Sequence, residues 1–427
     1  MAADYKRTEI GEGIFLTEIY DEKFKLNNIR VRFITKLDEK TSGANALVPS
    51  LLITSNSEIR SRTELSKRLM GLYGTSMSAS WNSLGDYQSV GISASPMADR
   101  YTIGGEVIST EVVRLMLLCI FSPDLTDGKF NEKYFALRKQ ELLDNIAASV
   151  NNKRAYGYTK AKSVIFEGEP AAVTELKTEE YVRNITAEGL FEQYEYLLKS
   201  AAVEITVCGG GGADEAVEML KNAFSKIKRE NVERISYRQN SPVKAEISSR
   251  SEDMKIRQSK MFMAYKSGYE DIYVCKLFSA LLGGTAFSKL FMNVREKLSL
   301  CYYCSSVYFD LKGTLLIDSG VETENIEKAK AAIEEQLKAL QQGDITDEEL
   351  ENTKLYLCGS YRSNYDTAWD TAGWYAAQNT RGTGYSPDEV CSIIKGITRE
   401  QIIECAKSFE PDSVYILKAN GEGSDDE

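Results

Sequence analysis

The sequence predicts an α+β chain of two homologous lobes, each a mostly antiparallel sheet with helices packed on one face. Three observations lead there. The chain has 427 residues, too many for one ordinary hydrophobic core. Strand-like and helix-like periodicities follow the same order in both halves. Two pairs of segments also recur at nearly one spacing. GKFNEKYFALRKQEL from Gly128 and GDITDEELENTKLYL from Gly343 lie 215 residues apart. ITAEGLFEQYEYLLKSAAVEITV from Ile185 and ITREQIIECAKSFEPDSVYIL from Ile397 lie 212 apart.

In the first half, IRVRFITKL (29–37) alternates Ile29, Val31, Phe33 and Thr35 with Arg30 and Arg32, which predicts a half-buried strand. ANALVPSLLI (44–53) reads as an apolar helix. TELSKRLMGLYG (63–74) reads as a second, with Leu65, Leu69 and Leu72 in its stripe. Two strand-like runs follow, SMSASWN and YQSVGISAS, then a buried helix over 107–121 and a long one within 128–143. The second half repeats this order. KIRQSKMFMAYKS (255–267) is a strand, VCKLFSALLGG (274–284) and FSKLFMNVREKL (287–298) are helices, and CYYCSSVYF and GTLLIDSGV are strands. Residues 325–343 and 346–365 are helices of high propensity. The polar, aperiodic run over 228–246 is the expected linker. The organisation is then a first lobe (1–227), that linker, a second lobe (247–420) and an acidic tail (421–427).

Composition excludes whole classes of chemistry. The chain has no histidine, so no Ser-His-Asp or Cys-His nucleophilic site can be built. Zinc could be held only by cysteines and carboxylates, and the eight cysteines are scattered. The single Cys-x-x-Cys, Cys301 to Cys304, falls in a strand, where alternation sends the two sulfurs to opposite faces. A net charge of −11 argues against nucleic acid. MAADYKRTEIGEG lacks the apolar core of a signal peptide, and VVRLMLLCIF (112–121) is too short for a membrane span and carries Arg114. A cytoplasmic protein with reduced thiols, away from membranes, is the expectation.

Three other features read structurally. VCGGGGADEAVEML (207–220) follows a strand but lacks the Lys-Ser/Thr of a phosphate loop, so its glycines are read as a turn. The carboxylates of EEYV (179–182) and DEEL (347–350) suit helix N-termini. YDTAWDTAGWY (365–375) reads first as helix core. The remaining motif is LLGGTAFSKLFMNVREKLSLCYY (281–303), a glycine pair, a helix ending in Arg-Glu-Lys and a strand opening on two tyrosines.

That order and spacing resembles the second-lobe signature of the insulinase/pitrilysin family of zinc peptidases, which includes the mitochondrial processing peptidase. Gly283, Gly284, Arg295 and Tyr302 match the family pattern, and Ser299 stands where a glycine is usual. The family's two duplicated lobes cover the whole chain, a metallopeptidase-like duplicated fold. The resemblance implies that Tyr302 donates to a developing oxyanion and that Arg295 holds substrate carbonyls. Gly283 and Gly284 join them as substrate-binding positions. The family's zinc motif, H-x-x-E-H, falls on Ala46-Leu47-Val48-Pro49-Ser50: Ala46 and Ser50 take the histidine positions and Pro49 the catalytic glutamate. The third ligand aligns with Asn145, across a stretch lengthened around residues 92–106. None of these four side chains can hold zinc or activate water. GTSMSAS (74–80) likewise departs from the family's Asn-Ala segment in the substrate-lining strand.

No cofactor is therefore expected in this chain. The degenerate motif most resembles the bacterial YmfF-like branch of the family. The resemblance implies a heterodimer with an H-x-x-E-H-bearing subunit that holds the zinc, cleaving small or unfolded peptides, with a homodimer left open when the chain is alone. A non-catalytic scaffold and a peptide-binding or regulatory homologue are the alternatives.

Overall fold

The alternation around Ile29, Val31 and Phe33 builds the central strand of the first sheet. In the computed structural model, which describes residues 4–421, the chain begins with β1 (Asp4–Gly11), β2 (Ile14–Tyr20), β3 (Asn28–Lys36), α1 (Ser42–Leu52) and α2 (Arg62–Gly71). β4 (Ser76–Leu84), β5 (Tyr87–Ser95) and α3 (Ile108–Phe121) follow, then a short hairpin of β6 (Leu125–Thr126) and β7 (Lys129–Phe130). Next come α4 (Glu132–Ala148), α5 (Lys153–Ile165), α6 (Glu175–Asn184), α7 (Ala187–Ser200), β8 (Ala202–Gly209) and α8 (Asp214–Phe224). The second half opens with β9 (Ser248–Met254), β10 (Ser259–Lys266) and α9 (Ile272–Ser279). Two wide-turned helices, Ala280–Gly284 and Leu290–Lys297, lead to β11 (Cys301–Phe309) and β12 (Thr314–Val321). Five helices and a strand complete it: α10 (Ile326–Gln341), α11 (Asp347–Arg362), α12 (Ala368–Thr380), α13 (Pro387–Gly396), α14 (Arg399–Ser408) and β13 (Glu410–Ala419). The acidic tail expected from the sequence lies, past Gly421, outside the described residues.

The two large sheets repeat one plan. The first has the order β1-β2-β8-β3-β5-β4 and the second β11-β12-β10-β13-β9. Read from the matching end, β2-β8-β3-β5-β4 corresponds to β9-β13-β10-β12-β11. Each starts with a parallel pair and continues antiparallel. This is the mostly antiparallel α+β architecture expected. In the first sheet, Ile29, Val31, Val203 and Ile205 form one apolar cluster with Leu47, Leu51, Val112, Met116 and Leu197 from the helices.

Contacts group the chain into two compact units, each built from several segments. One comprises residues 4–147, Glu175–Tyr237 and Asn364–Ser386; the other comprises Ala148–Thr174, Arg238–Ser363 and residues 387–421. Two equivalent helices have changed sheets: α5 from the first half packs on β10 and β13, and α12 from the second packs on β3 and β8. Periodicity shows that a helix has an apolar face but not which sheet covers it.

Specific contacts decide that choice. Gly157 of α5 lies so close to Phe262 of β10 that an added Cβ would stand 2.8 Å from its ring. Lys244 Nζ donates to the last carbonyls of α5, Val164 and Ile165, both at 2.9 Å, and Lys266 Nζ donates to Ile165 O at 3.0 Å. Cations suit a helix C-terminus. Both lysines also pair with the buried Asp412 carboxylate, at 3.0 and 3.1 Å. On the other sheet, Arg30 stacks on the Trp369 ring, 3.9 Å from its centroid, and donates to Trp369 O at 2.7 Å. Tyr375 is buried and stacked on Tyr5 at 4.4 Å. The aromatic run at 365–375 is thus largely helix core. No helix among the described residues is long and apolar enough to cross a membrane.

Candidate functional site

The junction over 279–309 is shaped by one close approach. Gly283 is buried, and a Cβ there would stand 2.6 Å from Ser306 N and 2.8 Å from Leu290 Cδ1. Ser306 Oγ donates to Ser279 O at 2.7 Å, closing the strand onto the end of α9. Gly283 therefore fixes helix-to-strand packing, while Gly284 beside it is exposed at the turn.

The second wide helix buries Leu290 and Val294 and ends in an open cap. Leu298 N donates to Asn293 O, Ser299 N to Arg295 O and Leu300 N to Val294 O, each at 3.1 Å. Ser299 has φ +50°, the left-handed region where glycine is at ease. The unusual serine thus occupies a position whose backbone favours the family glycine. Arg295 sits in the last turn. Its guanidinium lies 4.6 Å over the Phe291 ring, and Nε is 3.7 Å from Glu296. That ion pair is largely solvated and holds the side chain weakly.

Tyr302 falls where the register of β11 against β12 slips: Cys301 pairs with Val321 and Tyr303 with Gly320, leaving Tyr302 as the extra residue of a bulge. Its side chain is 72% exposed. Tyr303 is different. The Arg154 guanidinium of α5 lies 4.2 Å over its ring and pairs through Nε with Asp318 at 2.7 Å. Burial, then the Asp318 charge, pushes the Tyr303 phenol well above its ordinary value. Burial also raises the Asp318 carboxyl, against the Arg154 charge. Strict strand alternation cannot choose between the two tyrosines across a bulge; exposure separates them. Arg154 was not legible as a neighbour of this junction, because it lies in the first half of the sequence with no local motif.

The bulge also corrects the expectation for the cysteine pair. Cys301 and Cys304 are both buried instead of facing opposite sides, because the extra residue resets the alternation. The neighbouring Cys304 thiol holds Cys301 below its ordinary value, helped by Ser319 and Arg295 and opposed by burial.

The first-half positions lie on α1 and α4. Ala46 is half-buried. Pro49, inside α1, is buried and borders an apolar cavity of about 10 Å³ with Phe33, Ile92 and Leu197. Ser50 Oγ is turned back onto Leu47 O at 2.8 Å. Asn145 is exposed on α4. No imidazole, thiol or carboxylate is present among the four, so they do not fit the family's zinc. Among the described residues no group of three or more Cys, Asp or Glu is placed to hold a metal ion.

The glycine-rich loop after β8 packs tightly, as its structural reading implies. A Cβ at Gly209 would stand 1.9 Å from Asn27 Oδ1, and one at Gly210 would stand 2.2 Å from Phe24 O. The adjoining cavity of about 360 Å³ is lined by Glu18 and Asp214, the wrong charges for a phosphate.

Comparison with known proteins agrees with this arrangement. Residues 184–357 match the family described as peptidase M16 inactive domain. The chain is 25% identical over 403 residues to the "Probable inactive metalloprotease YmfF" of Bacillus subtilis, covering 93% of this chain and 94% of that one. A crystal structure of a conserved protein from Enterococcus faecalis superposes with a TM-score of 0.89 at 27% identity, covering 98% of this chain and 100% of the other. A peptidase M16 inactive domain from Pseudomonas fluorescens shares the fold, with a TM-score of 0.77 at 14% identity over 99% of this chain and 100% of its own. The chain is thus similar, over residues 184–357, to the inactive domain of M16 peptidases and, over most of its length, to a probable inactive metalloprotease.

Proposed function

We propose that this chain is the non-zinc-binding subunit of a two-subunit peptidase, supplying Arg295 and Tyr302 to a site whose zinc is held by an H-x-x-E-H-bearing partner. One observation carries the proposal: Tyr302 is the extra residue of a bulge and is exposed, whereas adjacent Tyr303 is packed beneath Arg154. A bulge re-aims a side chain at the expense of ladder regularity, and such features concentrate next to functional sites. An aromatic kept only for packing has no use for that exposure.

Each group then has a defined task. The Tyr302 hydroxyl donates a hydrogen bond to the oxygen of a peptide carbonyl as negative charge develops there. The Arg295 fork donates to backbone carbonyls of an extended peptide. The Gly283 close approach and the Ser299 cap set where the helix end lies against the strand. Zinc, when present in the partner, supplies the attacking water and polarises the carbonyl.

The test is to purify the chain alone, the partner alone and the two together, and to measure zinc content and cleavage of short unstructured peptides. The proposal expects no stoichiometric zinc and no cleavage from this chain alone, with cleavage by the combined subunits well above that of the partner alone. Cleavage or stoichiometric zinc in the isolated chain would refute it. An inert mixture that still forms a stable complex would favour a scaffold. The stacking of Arg295 on its own Phe291 gives that second reading its support, since the guanidinium is partly occupied locally.

A further inference from the structure

We propose that Cys275 and Cys405 are a reversible modification site: a dithiol that oxidises to a disulfide bridging α9 and α14. The two Sγ atoms lie 3.5 Å apart, already in contact, on helices separated by 130 residues of sequence. A disulfide needs this separation to shorten to about 2.05 Å and the two side chains to turn to a Cβ–S–S–Cβ angle near about 90°. Both helices are well placed to allow it, because α9 and α14 pack directly against each other.

The surroundings favour this pair over the others. Cys358 and Cys391 are also neighbours, but each sulfur points at the other's backbone carbonyl, at 3.8 and 3.6 Å. Cys301 and Cys304 are near neighbours on one strand, where closing a bridge would distort the bulge. Aromatic rings pack beside Cys275 and Cys405: Phe278 stacks on Phe409 at 5.2 Å, and Tyr308 meets the same ring edge-on at 6.0 Å. The Cys405 thiol draws Cys275 below its ordinary value, with burial opposing, while the same contact raises Cys405. The pair is therefore asymmetric, with Cys275 the readier thiolate.

The chemistry balances with a peroxide as oxidant. The Cys275 thiolate attacks the peroxide, its O–O bond breaks, and a sulfenic acid and one water result. The Cys405 sulfur then displaces that hydroxyl, forming the S–S bond and a second water. Two thiols are oxidised and one peroxide reduced. Both cysteines are buried, so the reaction waits on local opening of α14. α9 runs into the Gly283 turn, and Tyr308 lies on β11 six residues after Tyr302. The bridge would thus tie α14 to the helix that leads into the junction.

The experiment treats the purified full chain with hydrogen peroxide, blocks free thiols by alkylation and maps disulfides by mass spectrometry without reduction. The expected result is one cross-linked peptide pair containing Cys275 and Cys405. It should be reversed by dithiothreitol and accompanied by a rise in thermal midpoint of roughly 5 °C. Cys275→Ala and Cys405→Ala should each abolish the cross-link and the rise. Full alkylation of both thiols after peroxide, or a bridge joining Cys301 to Cys304 or Cys358 to Cys391 instead, would overturn the proposal. The wild-type map stands whether or not either variant folds.

Discussion

β4 and β11 are equivalent edge strands of two equivalent sheets, and they have been treated differently. β4 pairs with β5 through nine consecutive positions, Ser76 to Leu84, without a slip. β11 breaks step with β12 at Tyr302. The helices before them differ too. α2, the helix before β4, is a regular α-helix capped by the Ser61 side chain, whereas the helix before β11 opens into wide turns; each is followed by a left-handed residue, Tyr73 and Ser299. Wide turns and bulges concentrate at functional sites because each re-aims one residue. The difference teaches that both halves keep one frame, while only the second of these two edges combines wide turns with a bulge.

The largest effect that could break this contrast is on activity. In the reconstituted pair, Arg295→Ala should lower kcat/KM at least tenfold, measured on a short unstructured peptide. Substituting Ser78 of β4 with alanine should change it less than twofold. Equal losses would remove the asymmetry between the edges.

Next in size is the cost of releasing the exchanged helix. Asp412→Asn leaves Lys266 buried with its nearest carboxylate partner gone, and should destabilise the second unit by about 3 kcal/mol in chemical denaturation. Burial pushes the Asp412 carboxyl up, but bonds from Ser413 and Lys244 and the Lys266 charge outweigh it and hold the group below its ordinary value. Its folded value thus lies below the unfolded one. The contribution is complete above the unfolded value of about 4 and is lost as pH falls through the folded one. The gap between wild type and Asp412→Asn should accordingly narrow below about pH 4; a gap independent of pH would rule out the charge as its source.

Gly283→Ala should follow, with a loss of about 1–3 kcal/mol, because the added methyl meets the Ser306 backbone and not a side chain that can swing away. An unchanged melting curve would show that the helix can lift from β11 freely. The smallest effect has the opposite sign. Ser299→Gly relieves a left-handed residue and should stabilise by up to about 1 kcal/mol, read as a small rise in thermal midpoint.

Much of this was legible because it is local. Strict alternation in β3, the stripe of α2 and the repeated segments at Gly128 and Gly343 are set by residues close in sequence, so the two-lobed α+β plan could be read from them. The Arg295-to-Tyr302 spacing and the place of Ala46, Pro49 and Ser50 were likewise readable in a short window. What was not legible depends on distant partners. The helices α5 and α12 have ordinary periodicity, and only Gly157 against Phe262 or Arg30 against Trp369 assigns each to its sheet. The bulge was hidden because CYYC alternates no differently from a regular strand. With it went the common burial of Cys301 and Cys304 and the cover that Arg154 gives Tyr303.

The most direct measurement compares two conservative variants one residue apart, Tyr302→Phe and Tyr303→Phe, by single-turnover cleavage in the reconstituted pair. If Tyr302 donates to the oxyanion, its loss should slow the chemical step by about 10²-fold or more, and Tyr303→Phe should stay within about twofold of wild type. Equal rates for Tyr302→Phe and wild type would contradict the account, leaving the exposed tyrosine without a part in hydrolysis.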